Sequence, residues 1–290
     1  MTIRTLLVAL TGAETDADAL ATGFTVATLF GAHLDAVYVR VDPATEFKGL
    51  RLQEGWRALV DEMETMRALE VEAERGAAEA RRRFEAAAAA ARAPIIAQPT
   101  RPGQLSARFR EVGGGNDVLA DEGRLTDLLV FGRVTLGDQP RAYVLFEAAL
   151  LGSGRPLLVA PSAAPSAFGS TVAIAWHGNV HAARAVAGAL PFLEQAGAVH
   201  VITAETEAIA AGEGQRLASY LAWHGIEAKV AVLPAGGRGI GEAILGKAAE
   251  LGADLLVMGG YGHSRVREVI LGGVTRHVLE HAKLPVLIAH

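Results

Sequence analysis

The 290 residues include no cysteine, which removes disulfides, thiol nucleophiles and cysteine-based metal sites at once. A basic excess is also missing. The formal net charge is -5 with no basic stripe, so no nucleic-acid partner is expected. Nor is there a long apolar run. No stretch approaches the roughly 18 uninterrupted apolar residues of a membrane span, and none is expected. Near the N-terminus, Leu6 to Leu10 is apolar but polar and acidic residues follow at once. That is too short for a secretory signal and reads as a first strand. These absences together lead us to expect a cytoplasmic chain.

What is present suits a globular protein. Hydrophobic residues make up 51% of the chain and charged residues 20%, enough apolar surface for a buried core. The length fits one large domain or two of about 150 residues.

The sequence decides for two, because it repeats itself. Asp127-Leu-Leu-Val-Phe-Gly132 returns as Asp254-Leu-Leu-Val-Met-Gly259. Arg155-Pro-Leu-Leu-Val-Ala160 returns as Leu284-Pro-Val-Leu-Ile-Ala289, with 24 positions from Gly132 to Pro156 and 26 from Gly259 to Pro285. The starts agree as well: Thr5-Leu-Leu-Val-Ala-Leu-Thr-Gly12 and Thr171-Val-Ala-Ile-Ala-Trp-His-Gly178. The Pro/Ser/Ala-rich run from Pro161 to Gly169 marks the join. The expected division is residues 1–161, a linker at 162–170, and residues 171–290.

Within each half, short apolar runs alternate with helical patterns. In the second half strands are expected near 172–176, 198–203, 227–233, 254–258 and 285–289. Helices are expected near 181–195, 207–224, 239–251 and 266–281. Uniformly apolar runs such as Leu255-Leu-Val-Met258 suit strands covered on both faces. The alternation predicts a doubly wound α/β domain in each half, with ligands bound beyond the C-terminal strand ends where the strand order reverses. The first half inserts a long charged stretch between Val39 and Ile95. There Leu59, Met63, Met66, Ala73, Ala77, Ala80 and Phe84 form an apolar stripe that only Glu70 interrupts. An amphipathic helix lying on the sheet is predicted. The run Arg81-Arg82-Arg83 is read as a solvated face paired with nearby glutamates.

One segment suggests a ligand. In Met258-Gly-Gly-Tyr-Gly-His-Ser-Arg-Val-Arg-Glu-Val-Ile-Leu-Gly-Gly-Val-Thr275, three glycines end a strand and two precede a helix. Backbone N–H groups at a helix start, unobstructed by side chains, form an anion cradle. The competing reading is that the glycines only let the chain turn tightly.

The spacing Gly259-x2-Gly262-x9-Gly272 resembles the nucleotide-binding signature of the universal stress protein (UspA-type) family. Asp254-Leu-Leu-Val-Met-Gly before it, Gly272-Gly-Val-Thr-Arg-His-Val-Leu279 and Leu284-Pro-Val-Leu-Ile after it resemble the family too. The resemblance spans the chain as two tandem domains and is strongest from about 227 to 290. It implies two tandem doubly wound α/β domains, each with a five-stranded parallel sheet flanked by helices, of the adenine nucleotide alpha-hydrolase-like type. It implies ATP or AMP as ligand. Gly259 and Gly262 would lie against ribose and phosphate, and Gly272 and Gly273 would meet the phosphates. Gly260, His263, Val274 and Thr275 complete the set, and His177 faces the pocket from the end of the half's first strand. It also implies that the domains pair through their final strands, residues 156–160 and 285–289, as an intramolecular pseudo-dimer. A homodimer of chains is a further option.

The chain departs from the family pattern in places. Gly273 stands where nucleotide-binding members have Ser or Thr, which removes a hydroxyl donor. Thr11 and His177 stand where the family commonly has Asp at the end of its first strand, and His carries no dependable negative charge. In the first half Gly132-Arg-Val-Thr135 and Val144-Leu-Phe-Glu-Ala-Ala149 replace the two glycine clusters. Bulky side chains there are expected to keep nucleotide out, leaving the first domain a structural role.

Other patterns carry less. Gly241-Glu-Ala-Ile-Leu-Gly-Lys-Ala248 imitates a phosphate loop, but Ile240, Ile244, Ala248 and Leu251 repeat at helical spacing and put Lys247 within a helix. The run Gly236-Gly-Arg-Gly-Ile-Gly241 is read as the opening of that helix. His277 and His281 share a helix face without an evident third ligand, so no metal is expected. No Ser-His-Asp order or carboxylate pair accompanies the glycines. The expected function is a stress-response regulator or protector that binds an adenine nucleotide in its second domain and is at most a weak ATPase. The alternatives are a nucleotide-free interaction module and a slow ATP hydrolase.

Overall fold

The computed structural model describes residues 2–40, 56–98, 102–135, 140–163, 167–204, 212–233, 239–260 and 272–290. The first half contains β1 (Thr5–Leu10), α1 (Asp16–Phe30), β2 (His33–Arg40), α2 (Trp56–Ala90), β3 (Ser106–Gly113), α3 (Val118–Gly123), β4 (Leu128–Phe131), α4 (Pro140–Gly152) and β5 (Leu157–Val159). The second contains β6 (Thr171–Ala175), α5 (Val180–Leu193), β7 (Ala198–Ala204), α6 (Glu213–Ala222), β8 (Ala228–Leu233), α7 (Ile240–Glu250), β9 (Leu255–Gly259), α8 (Gly273–His281) and β10 (Val286–Ala289).

The strands form one open sheet in the order β3-β2-β1-β4-β5-β10-β9-β6-β7-β8. Each half contributes the same 3-2-1-4-5 arrangement of its own strands, and pairing within each half is parallel. The five-stranded parallel sheet expected in each half is present, and the two run on into one another through their final strands. β5 and β10 pair antiparallel, with Val159 opposite Val286, Leu158 opposite Leu287 and Leu157 opposite Ile288. Joining them buries two apolar final strands whose backbone groups would otherwise stand as open edges.

The period-two geometry of a strand explains why the central strands are apolar throughout. In β1, Leu6, Val8 and Leu10 enter one core while Leu7 and Ala9 enter the other. β9 divides the same way, with Leu255 and Val257 on one side and Leu256 and Met258 on the other. Helices α1, α2, α5 and α6 supply the first core through residues such as Phe24, Phe84, Phe192 and Leu221. Helices α3, α4, α7 and α8 supply the second through Leu119, Phe146, Ile244 and Val278. Both faces are therefore covered, as a parallel sheet requires.

The repeated aspartates have a shared structural task. Asp127 accepts from the backbone N–H groups of Arg4 (2.8 Å) and Thr5 (3.0 Å) at the start of β1. Asp254 accepts from Ser170 and Thr171, each at 3.0 Å, at the start of β6. Each carboxylate fixes the register of its half's first strand against the fourth.

The long helix α2 runs as the stripe predicts. Ala73, Ala77, Ala80 and Phe84 are buried, while the side chains of Leu59, Met63 and Met66 lie outside the described residues. The arginine run is paired: Arg81 with Glu111 at 3.3 Å, Arg83 with Glu79 at 3.0 Å, and Arg82 with Glu79. Arg81 also lies 4.5 Å over the Phe109 ring. The helices expected at 207–224 and 266–281 are described over 213–222 and 273–281, because 205–211 and 261–271 lie outside the described residues.

Candidate functional site

In the second half the strand order reverses between β6 and β9, which are neighbours in the sheet. The chain leaves β6 towards β7 on one side and β9 leads to β10 on the other. A crevice beyond the C-terminal ends of β6 and β9 is the position where open α/β sheets bind ligands. Among the described residues, Trp176 to Asn179 follow β6, Val180 opens α5, Gly259 ends β9 with Gly260 next, and His290 follows β10.

The glycines of this crevice do different work. A Cβ on Gly259 would lie 2.5 Å from the Ala182 nitrogen and 2.8 Å from the His181 carbonyl carbon. Gly259 therefore lets α5 approach the sheet. Gly260 is buried, and a Cβ there would meet Ile288 at 3.1 Å and Leu150 of the first half at 3.4 Å. It serves packing between the halves. At the start of α8, Gly272 is the N-cap in extended geometry and Gly273 is the first helical residue. Gly273 is exposed, and among the described residues a Cβ on it would meet nothing within 4 Å. The described residues give no steric reason for a glycine there. Val274 is half-buried and Thr275 buried at 4% exposure, facing inward from the helix. Gly262 and His263 lie outside the described residues.

His177 is half-buried in the turn between β6 and α5, next to Gly178, whose φ of 68° lies in the left-handed region. Asn179 caps α5, its Oδ1 accepting from the Ala182 N–H at 2.8 Å. His181 brackets this turn with His177 in the sequence as well and is read there as a second histidine facing the pocket, whereas His290, Arg184 and Glu213 carry no such signal. His181 stacks on His290 with ring centroids 4.2 Å apart. Burial first, then their charged neighbours, holds both imidazoles below the usual histidine range; for His290 a hydrogen bond with Gly260 opposes this in part. Arg184 donates to the His290 carbonyl at 2.8 Å. Glu213 stands across the turn, its Oε2 3.1 Å from where a Cβ on Gly178 would be, and it pairs with Arg216. Spacing could not have found Glu213, because the helix that carries it is linked to the turn only through the fold.

The first half holds the corresponding crevice differently. Gly132 meets the backbone of Thr15, as Gly259 meets that of His181 and Ala182. Val144, Leu145 and Phe146 lie on α4, with Leu145 and Phe146 buried in the core and Phe146 edge-on to Phe131 at 5.4 Å. Leu145 and Phe146 thus pack inward, while Val144 is exposed. The group that enters the β1–α1 turn is Asp16, whose position corresponds to Ala182.

The remaining patterns are structural. Lys247 sits within α7 and donates to Glu250 at 2.7 Å, and Gly239 caps that helix. His277 and His281 stack at 4.3 Å. Among the described residues no group of three or more histidine or carboxylate side chains could hold a metal ion. No described helix is long and apolar enough to cross a membrane.

A sequence model of the universal stress protein family matches residues 170–290. No curated protein matches the chain. Among solved structures, a universal stress protein from Archaeoglobus fulgidus DSM 4304 is similar over 98% of this chain and 97% of its own, at 17% identity and a TM-score of 0.65. A functionally unknown protein from Pseudomonas aeruginosa PAO1 is similar over 99% of this chain and 92% of its own, at 16% identity and a TM-score of 0.56. At these identities the likeness is one of fold.

Proposed function

Residues 170–290 belong to the universal stress protein family, and from that premise we propose that the second-half crevice binds an adenine nucleotide, ATP or AMP. The observation that carries this reading is Gly273. Among the described residues its missing side chain answers no packing need, and it opens α8. A helix N-terminus with bare backbone N–H groups suits phosphate. Gly259, Gly262, His263, Gly272, Val274, Thr275 and His177 are the further contacts we assign, with Gly260 supporting them through packing.

On this reading the chain is a tandem universal stress protein of the cytoplasm, acting in stress regulation or protection. Residues 1–161 and 171–290 form its two domains, joined by 162–170. The pairing of β5 with β10 supports an intramolecular pseudo-dimer, and the first domain is its structural partner. The chain is at most a weak ATPase.

Mass spectrometry of the denatured purified protein, followed by calorimetric titration with ATP, ADP and AMP, tests this. Bound nucleotide or saturable heat without phosphate release is the expected result. Absence of both would sink the nucleotide reading and favour an interaction module. Phosphate release would favour a slow hydrolase.

A further inference from the structure

The β1–α1 turn of the first half contains a buried carboxylate with no counterpart in the second. Asp16 is 2% exposed. Its Oδ1 accepts from the Thr11 N–H at 3.0 Å and from the Thr11 hydroxyl at 3.3 Å, and its Oδ2 accepts from the Gly12 N–H at 2.8 Å. Gly12 has a φ of 85°, which turns its N–H inward. From α2, Arg83 donates to the Ala13 carbonyl at 2.7 Å and pins the turn from outside. From β2, the Tyr38 ring closes over Gly12, and its hydroxyl packs on Gly76 of α2. At the matching position of the second half stands Ala182, and the carboxylate beside that turn, Glu213, comes from α6 and pairs with Arg216.

We propose that Asp16 is a proton-operated latch on the β1–α1 turn, holding the turn closed most firmly when its carboxyl is neutral. The Asp16 side chain ties Thr11 and Gly12 to the helix, beside backbone bonds from the Asp16 and Ala17 N–H groups to the Ala13 and Glu14 carbonyls, so a change in the stability of the buried carboxyl changes the stability of the closed turn. Burial dominates its environment and disfavours the charged form. The hydrogen bonds from Thr11 and Gly12 and the nearby Arg83 oppose this in part, and the carboxyl is pushed up to about 6. The other ionisable groups here are Tyr38 from β2, which Asp16 pushes further up, Glu79 holding Arg83 on α2, and Asp18 on α1 near Arg133 after β4. None of them replaces the Asp16 carboxyl in the turn.

The direction follows from linkage. When the turn opens, Asp16 meets water and titrates near 3.8. The closed form thus binds the proton more tightly than the open form. Closure is firmest at acid pH and loosens as the pH rises through about 6. A separation of about two pH units corresponds to a change of up to ~100-fold in the opening equilibrium.

Two NMR measurements on the full chain test this. Titration of the Asp16 side-chain carboxyl is expected to show a midpoint near 6. Protection of the Thr11 and Gly12 amides against hydrogen exchange, corrected for intrinsic exchange, should fall about tenfold from about pH 5 to pH 8. A midpoint at or below the ordinary aspartate value, or flat protection, overturns the latch. Asp16→Asn keeps an acceptor without the titration and should give pH-independent protection. A persisting pH dependence in that variant also overturns it. Should the variant fail to fold, the wild-type titration alone decides.

Discussion

Gly259 lies against the first turn of α5, so close that a Cβ on it would fall 2.5 Å from the Ala182 nitrogen. That nitrogen is backbone and cannot swing aside. Gly259→Ala is therefore expected to lower stability by about 1–3 kcal/mol, the usual range for overpacking. Among the described residues nothing lies within 4 Å of where a Cβ on Gly273, in the same motif, would be. Gly273→Ala should leave stability unchanged or raise it by up to ~0.5 kcal/mol, while weakening nucleotide binding. Thermal or urea unfolding beside calorimetric titration of both variants separates the two roles. Equal stability loss in both would refute the distinction.

The Asp35 carboxylate joins two edge arginines to the body of the sheet. Arg108 reaches it at 2.7 Å and Arg110 at 2.7 Å, and Arg110 continues to Glu122 at 2.6 Å. Burial by itself would raise the Asp35 carboxyl, but the hydrogen bonds from Arg108 and Arg110 outweigh it and hold the group below its ordinary value. Since the folded value lies under the unfolded 3.8, the contribution is complete above 3.8 and fades as the pH falls through the folded value. Asp35→Asn is expected to cost about 2 kcal/mol at neutral pH. The difference from wild type should shrink in acid, as denaturant unfolding at a series of pH values would show. A difference independent of pH would rule this linkage out.

The fold was legible because its signals are local. Asp254-Leu-Leu-Val-Met-Gly259 states a buried strand and its glycine exit within six residues, and its copy at 127–132 states the duplication. The roles of individual groups were less legible, since they depend on contacts distant in sequence. Gly260 reads as part of a cradle until Leu150 is seen beside it. Asp16 reads as an acidic residue favourable to a helix start, and only the turn of Thr11 and Gly12 onto it reveals the latch geometry. Glu213 carries no motif at all, yet the packing of α6 brings it to Gly178.

Lys247 separates sequence imitation from mechanism. It lies within α7 and is held by Glu250 at 2.7 Å, so it is not free in a loop. Lys247→Ala is expected to leave nucleotide affinity within about twofold of wild type and to change stability by under ~0.5 kcal/mol. A tenfold loss of affinity in calorimetry would restore the phosphate-loop reading.

Phe192 of α5 packs edge-on against Phe30 of α1 at 5.1 Å, and Phe168 between the halves meets the same ring at 5.6 Å. Phe192 is 1% exposed. The contact is thus a buried aromatic joint between the halves, on one face of the sheet where β5 and β10 meet. Phe192→Ala is expected to cost about 3–5 kcal/mol through lost burial and the cavity left behind. Its second effect is the more diagnostic. If the joint couples the halves, wild type should melt in one calorimetric transition and the variant in two, or in one markedly broadened. Phe192→Leu, which keeps most of the apolar volume, should restore much of the coupling. A variant that melts at lower temperature but stays as sharply cooperative as wild type would mean that the β5–β10 seam alone couples the halves. The ring contact would then be ordinary core.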